Sequence, residues 1–290
     1  MAQVPRDEWV TLDGLSFHCL DWGGSGQTLL LLHGLASTCH IWDMVAPILA
    51  QNHRVLALDQ RGHGETDKPT YGFDFASVTQ DVIGVIDHFG GDAPVVVGHS
   101  WGGSVALELA VRAPKAVKGM AWVDGGMINA SARYPTVEDA KFEMSPPDFS
   151  GVTVESFMDR VRTRHQGAGM APGSHDVVMA NFEVQGDNTI KARLTRANHL
   201  RIIEALWDHH PTDLYQQVQC PVLIMPARQQ NDSSTQERGQ RRLMSVDEAE
   251  QQLPNSKTVW LENSIHDVPI QRPGLVADLI NSHVADGFFG

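Results

Sequence analysis

Cysteine is scarce in this chain, whose 290 residues include only Cys19, Cys39 and Cys220. An odd number of cysteines at wide spacing gives no disulfide framework and matches no metal-binding pattern. We interpret the three as reduced core thiols in a reducing compartment. The sequence therefore does not have the character of a small, disulfide-stapled secreted domain.

Positive charge is also in short supply. The 22 Lys and Arg residues stand against 35 Asp and Glu, which gives a formal net charge of −13. Nucleic acids and anionic membranes would repel such a chain, so neither is expected as a partner. No apolar run approaches the roughly 20 residues of a membrane helix, and residues 1–8 lack the basic-then-apolar pattern of a signal peptide. We expect a cytoplasmic protein.

Hydrophobic and charged residues are both present at ordinary levels, 42% and 20% of the chain. These fractions are typical of a globular domain. A chain of 290 residues is long enough for one large domain with a buried core and an insertion.

The stretch with the most chemical content is Val-Val-Val-Gly-His-Ser-Trp-Gly-Gly, residues 95–103. Three β-branched residues predict a buried parallel strand, and residues 104–110 predict a helix. A Gly-x-Ser-x-Gly motif between a strand and a helix puts Ser100 at the apex of a strained turn, a nucleophile elbow. Side chains at Gly98 and Gly102 would clash there. A Gly-rich loop with an incidental serine is the alternative, which the flanking strand and helix disfavour.

With this motif the sequence resembles the α/β-hydrolase superfamily, from about Leu12 to the C-terminus and most weakly between Ile128 and His210. The resemblance implies an α/β fold with a mostly parallel, doubly wound, eight-stranded sheet and an inserted helical cap. The residue patterns predict a hairpin around Asp13-Gly14 and further strands at 28–32, 54–58, 95–97, 117–123, 219–227 and 257–261. They predict helices at 41–50, 75–89, 104–110 and 273–283.

The alternation of strands and helices stops after residue 126. Residues 127–215 are punctuated by Pro and Gly, are too long for a plain connection, and have helical spacing at 154–164 and 195–207. The resemblance places the cap here, over the active site, and the core domain in 1–126 and 216–290. Apolar cap side chains would either line the pocket or form the cap's own core, and we expect Phe142, Phe157 and Trp207 to contact substrate. No acidic or Cys residue accompanies the cap histidines at ligand spacing, so we predict no metal site at His199, His209 or His210.

Two further loops match the resembled family. The strand at 28–32 runs into His33-Gly34-Leu35, and the resemblance implies that the backbone N–H groups of Leu35 and Trp101 form an oxyanion hole. Residues 59–69 resemble the Asp-x-Arg-Gly-His-Gly-x-Ser loop of many α/β-hydrolases. We interpret this loop as structural, so His63 is not the expected catalytic base.

A serine nucleophile needs a base, and the base needs an acid that orients it. His266 follows the last predicted strand, where the family keeps its catalytic histidine. Two acids remain open. Asp232 follows the seventh strand but lies in the polar run 229–242, which is typical of a mobile segment, and Gln230 occupies the position where the family usually has Asp. Asp124 ends the sixth strand, which can hold a carboxylate still, and we favour it.

Serine at the elbow disfavours epoxide opening and halide displacement, because relatives that form an ester intermediate carry Asp there. The resemblance implies acyl transfer without cofactor or metal, on a small, rather apolar ester or lactone. Rivals of the same fold are carbon–carbon bond hydrolases, proline-releasing peptidases and cofactor-free haloperoxidases. A small-ligand receptor with vestigial hydrolysis is the alternative from another class. The sequence carries no signal for an oligomeric state.

Overall fold

The computed structural model describes residues 4–229 and 236–290. Its strands are β1 Arg6–Leu12, β2 Leu15–Gly23, β3 Thr28–Leu32, β4 Arg54–Leu58, β5 Val95–His99, β6 Gly119–Val123, β7 Phe182–Val184, β8 Ile190–Ala192, β9 Val222–Met225, β10 Ala227–Arg228, β11 Ser256–Thr258 and β12 Leu261–Glu262. Its helices are α1 Ala46–Leu49, α2 Phe75–Phe89, α3 Trp101–Arg112, α4 Val137–Met144, α5 Val154–Arg164, α6 Ser174–Met179, α7 Arg196–Asp208, α8 Gln236–Gln252, α9 Val268–Gln271 and α10 Pro273–Ala285.

The main sheet has eight strands in the order β1-β2-β4-β3-β5-β6-β9-β11. The hairpin β1–β2 turns at Asp13-Gly14, and β2 is antiparallel to β4; all remaining neighbours are parallel. The expected α/β fold with a mostly parallel eight-stranded sheet is confirmed. Parallel strands bring their carboxyl ends to one edge of the sheet, which is where the site is built.

Both faces of the sheet are buried, and alternate side chains of each strand point to opposite faces. In β5, Val96 joins one apolar cluster, and Val95 and Val97 join the other. Helices α2 and α3 cover the first face, while α1 and α10 cover the second. The sheet is therefore doubly wound. No helix within the described residues is both long and apolar enough to cross a membrane.

The segment 127–215, called the cap segment below, contains α4, α5, α6, α7 and the antiparallel hairpin β7–β8. Helices α5 and α7 lie where helical spacing was expected, but the hairpin was not expected. Phe157, Val161 and Ile190 form a small apolar core within the segment. The hairpin was missed because three-residue strands carry too little alternation to recognise.

The C-terminal part differs from expectation in two places. The seventh and eighth strands are each interrupted, as β9–β10 and β11–β12, and the short second parts pair with each other. The polar run 229–242, expected to be mobile, is helical from Gln236 onward as part of α8. Val246 and Ala249 on this helix are buried, and this narrow apolar stripe was hidden among polar residues.

Candidate active site

Ser100 lies between β5 and α3 with a strained backbone, φ 53° and ψ −121°. A Cβ atom at Gly98 would lie 2.4 Å from the carbonyl oxygen of Gly102. A Cβ atom at Gly102 would lie 2.4 Å from the carbonyl oxygen of Leu32. Real Cβ atoms do not approach so closely, so the expected clash at both glycines is confirmed. The two glycines thus allow α3 to lie directly against β5 and β3, and a Cβ atom at Gly125 would lie 2.3 Å from the carbonyl oxygen of Ser100, so the loop after β6 packs against the nucleophile.

The loop after β3 lies against this elbow. A Cβ atom at Gly34 would lie 3.0 Å from the Cβ atom of Ser100, and Leu35 borders the same cavity as Ser100. Trp101 is the first residue of α3, where backbone N–H groups have no acceptor within the helix. The two N–H groups expected to form an oxyanion hole therefore come from segments that flank Ser100.

His266 and Asp124 form a pair at the carboxyl ends of the strands. Nδ1 of His266 lies 2.6 Å from Oδ2 of Asp124. The other oxygen, Oδ1, accepts a hydrogen bond of 2.9 Å from the N–H of Ala227. Because a carboxylate only accepts, Nδ1 carries the proton, and Nε2 of the neutral ring keeps its lone pair. The alternative acid, Asp232, lies outside the described residues.

Ser100 and His266 border one cavity. Among the described residues there is no hydrogen bond between the Ser100 hydroxyl and His266. Such hydrogen bonds are often long before substrate binds and shorten in the complex. The backbone of His266 is held by His99, whose Nε2 donates to the His266 carbonyl at 2.9 Å. Burial, together with the nearby His266, lowers the pKa of His99 to about 4, so the ring of His99 is neutral.

A third group, which the sequence analysis missed, contacts the acid. Arg242 of α8 has Nη2 3.3 Å from Oδ2 of Asp124 and donates through Nη1 to the carbonyl of Ala227. Recognising α8 in the polar run was the one available route to this residue.

The charges of His266 and Asp124 shift each other's pKa. Desolvation would lower the pKa of His266, but the hydrogen bond and charge of Asp124 outweigh it, so the pKa lies above its ordinary value. Desolvation would raise the pKa of Asp124, but His266 and Arg242 outweigh it, so that pKa is lowered. Asp124 is thus ionised at neutral pH and stabilises the protonated form of His266.

The cavity has a volume of about 580 Å³, within the range of small-molecule sites. Cap residues contribute much of its wall, among them Phe149, Phe157, Val161, Phe182 and Leu194. Of the three expected substrate contacts, only Phe157 borders this cavity. Phe142 is 81% exposed on α4. Trp207 packs against the core and donates to the carbonyl of Tyr134, so these two expectations are corrected.

Residues 29–279 match the model of the alpha/beta hydrolase family. The chain belongs to this family.

Individual relatives match only part of this chain. A soluble epoxide hydrolase from Corynebacterium sp. (strain C12) is 37% identical over 126 residues, which are 43% of this chain and 44% of the relative. A dihydrolipoyllysine-residue acetyltransferase component of the acetoin cleaving system of Pseudomonas putida is 33% identical over 123 residues, 42% of this chain and 33% of the relative. The chain spans less than half of the length of these relatives.

Among solved structures, E-2-(acetamidomethylene)succinate hydrolase superposes on this alpha/beta hydrolase with a TM-score of 0.78 at 18% identity. The superposition covers 97% of this chain and 99% of the other. At this identity the likeness concerns the fold alone.

The loop 59–69 holds its own residues together. Asp59 accepts hydrogen bonds from the N–H groups of Cys39 and Glu65 and from Nδ1 of His18. The ligand atoms of His18, Cys39 and Asp59 lie within 4.8 Å of one another. Nδ1 of His18 and both Asp59 oxygens are engaged by these hydrogen bonds, and burial raises the pKa of the Cys39 thiol, which keeps it protonated. His63 is fully buried, with Nδ1 2.9 Å from the carbonyl of Arg61.

The three cap histidines at which no metal site was predicted, His199, His209 and His210, have separate partners. Nε2 of His199 donates to the Met144 carbonyl at 3.0 Å. Nδ1 of His209 lies 3.0 Å from Glu108, and Nδ1 of His210 lies 3.1 Å from the hydroxyl of Ser131. In the described part of the chain these three side chains do not converge on one point.

Proposed function

We propose that this alpha/beta hydrolase is a serine hydrolase that cleaves a small carboxylic ester or lactone through an acyl-enzyme on Ser100. The observation that carries the proposal is the shared cavity: Ser100 at its strained turn and His266, held 2.6 Å from Asp124, both border it. Nucleophile, base and orienting acid are the three parts that acyl transfer on serine needs.

In the first half of the reaction, Nε2 of His266 takes the proton of the Ser100 hydroxyl while Oγ attacks the carbonyl carbon. The carbonyl π electrons move to oxygen, where the N–H groups of Leu35 and Trp101 stabilise the negative charge. The tetrahedral intermediate collapses and breaks the bond to the alcohol oxygen, which leaves with the proton from His266.

In the second half, water replaces the alcohol. His266 takes a proton from the water, whose oxygen attacks the acyl carbon and forms a second tetrahedral intermediate. Collapse breaks the bond to Oγ of Ser100, and His266 returns the proton to it. Asp124 stabilises the imidazolium in both halves without accepting the proton.

The name of the epoxide hydrolase relative raises a second candidate, opening of an epoxide. Attack by a serine alkoxide on an epoxide carbon would give an ether. An ether has no carbonyl for water to attack, so the enzyme would stay alkylated. Ser100 therefore favours the carbonyl substrate over the epoxide.

The test is labelling with a fluorophosphonate, which needs an activated serine and an oxyanion hole but no knowledge of the natural substrate. We expect one adduct by intact mass, absent in Ser100→Ala and retained in Ser37→Ala, a serine that borders the same cavity. Turnover of an ester and lactone panel should follow the same pattern. Folded protein without an adduct would contradict the proposal and favour the ligand-receptor alternative.

A further inference from the structure

Two arginines of the cap segment differ from all its other cations. Between residues 127 and 215, seven Lys and Arg side chains contact an acidic, carbonyl, hydroxyl, amide or aromatic partner: Arg133, Lys141, Arg162, Lys191, Arg193, Arg196 and Arg201. Arg160 and Arg164 have no such partner within the described part of the chain. These two are also the cap cations that border the Ser100 cavity.

Helix α5 explains their common position. Phe157, Arg160, Val161 and Arg164 are spaced three and four residues apart, so they share one helix face. Phe157 and Val161 are buried and form the apolar part of that face. Both arginines are exposed and also border the outer groove along α5. They therefore stand where the cavity opens to solvent.

The nearby acids compensate this positive charge only in part. Asp267 is the one carboxylate among the cavity residues that the structure describes, and Nε2 of His165 lies 3.7 Å from it. Burial would raise the pKa of Asp267, but His165 and nearby positive charges that include Arg164 lower it, so Asp267 is shared among several groups. On the outer side of α5, Glu155 and Asp159 border the groove together with the two arginines, and Asp159 is paired with Arg162 at 2.8 Å. In a chain with a net charge of −13, two guanidinium groups facing one carboxylate make a local site for an anion.

We infer that the substrate carries a carboxylate, which Arg160 and Arg164 bind at the cavity mouth while its ester carbonyl lies at Ser100. This inference rests on the proposed function and specifies its substrate class. The apolar wall between the two ends, which includes Phe157, Val161 and Phe182, fits a short hydrocarbon linker.

The experiment compares two esters that differ in one charge, mono-4-nitrophenyl adipate and its methyl ester. We expect kcat/KM of the wild type to be about tenfold higher for the acid, since charge-assisted contacts at an exposed mouth contribute modestly. The preference should fall as salt is added, because salt screens exposed charges.

The double variant Arg160→Gln/Arg164→Gln should lose this preference through a higher KM for the acid, with the methyl ester changed less than about twofold. The matched control is Arg162→Gln on the same helix, whose side chain is engaged by Asp159 rather than the cavity. It should keep the preference. Fluorophosphonate labelling of each variant verifies that the site is folded.

Two outcomes separate this inference from the proposed function. If Ser100 is labelled but the wild type hydrolyses both esters equally well, the inference is overturned and the proposed function stands. If Ser100 is not labelled, the proposed function fails, and calorimetric titration of Ser100→Ala with monomethyl adipate tests the arginines alone. Binding that is lost with Arg160→Gln/Arg164→Gln supports the anion site, and unchanged binding overturns it.

Discussion

The carboxylate of Asp124 is held by groups from three parts of the chain. The N–H of Ala227 fixes Oδ1, while His266 and Arg242 share Oδ2. Asp124 also has a left-handed backbone, φ 46°, which costs on the order of 1 kcal/mol or more for a residue with a side chain. Backbone and side chain are thus both fixed in the direction that orients His266.

The substitution Asp124→Asn tests this role. We expect kcat to fall by about 10³- to 10⁴-fold, because the amide lets the histidine take the wrong tautomer. Asp232→Asn, at the other acid left open by the sequence, should change kcat less than about twofold, because Nδ1 of His266 already bonds to Asp124. The measurement is ester hydrolysis at saturating substrate, with thermal unfolding as the control for folding. The reverse ranking of the two variants would transfer the role to Asp232.

Single residues differ in how well the sequence predicts them. Ser100 carries its context with it, because strand, glycines and helix are contiguous in the sequence. His266 and Asp124 could be named only through the order of strands. Phe142 and Trp207 were wrongly predicted to contact substrate, because the sequence does not show which face of a cap helix points inward. Arg242 was missed because helix α8, which carries it, was not predicted.

At the scale of elements, α8 acts on the site from outside the parallel sheet. Val246 and Ala249 are buried and hold the helix against the rest of the protein, which places Arg242 beside Asp124. The positive charge of Arg242 opposes protonation of His266, although Asp124 outweighs it and the pKa of His266 stays raised. The helix therefore adjusts the pH range in which the base is neutral.

The variant Arg242→Gln should move the acid limb of the profile of kcat/KM against pH. In the wild type, activity should fall as pH drops through a pKa above 6.5, because only neutral His266 accepts a proton. Removing the positive charge raises that pKa further, so the limb moves to higher pH. On the alkaline plateau, kcat/KM should stay within about fivefold, since a partly exposed ion pair contributes about 1 kcal/mol or less.

The charge-preserving variant Arg242→Lys is the matched control, and its limb should stay near that of the wild type. A purely structural role would lower kcat/KM of Arg242→Gln by the same factor at every pH. An unmoved limb would therefore refute the electrostatic role.

The elements themselves were predictable where a long pattern recurs. The strands β3, β4 and β5 are runs of buried apolar residues, and α2, α5 and α7 show clear helical spacing. The hairpin β7–β8 and helix α8 were missed because their burial comes from tertiary contacts rather than from a local pattern. The bounds of β9 and β11 differ from the predicted strands for a similar reason. Each strand is interrupted and continues in a separate short strand.

At the scale of the whole molecule, the cap segment packs in two ways. Helix α7 buries Ile202, Ile203 and Leu206 in one of the two large clusters of the sheet, whereas α5 and the hairpin β7–β8 share the small core. Polar contacts attach the segment to the remainder: Arg193 pairs with Glu65, and the side chain of Asn198 donates to the carbonyl of Pro69 at 2.9 Å. Because the small core is a cluster separate from those of the sheet, we expect α5 and the hairpin β7–β8 to open before the sheet unfolds, while α7 stays with the sheet.

The variant Ile190→Ala should reveal this order. Ile190 is 4% exposed in the small core, so its truncation should cost about 2–4 kcal/mol of local stability. Hydrogen exchange should then accelerate in α5, β7 and β8 but not in β3 or β5. The KM for ester should rise because Phe157 and Phe182 lose support, while fluorophosphonate still labels Ser100.

Leu31→Ala in the sheet is the contrasting variant, because its side chain is fully buried between the sheet and its covering helices. It should accelerate hydrogen exchange in the cap segment and in the sheet alike, because the cap segment packs against the sheet and loses these contacts when the sheet unfolds. If Ile190→Ala behaved in the same way, the cap and the sheet would unfold as one unit. Substrate entry would then require motion of side chains at the mouth, such as Arg160 and Arg164, instead of opening of α5 and the hairpin β7–β8.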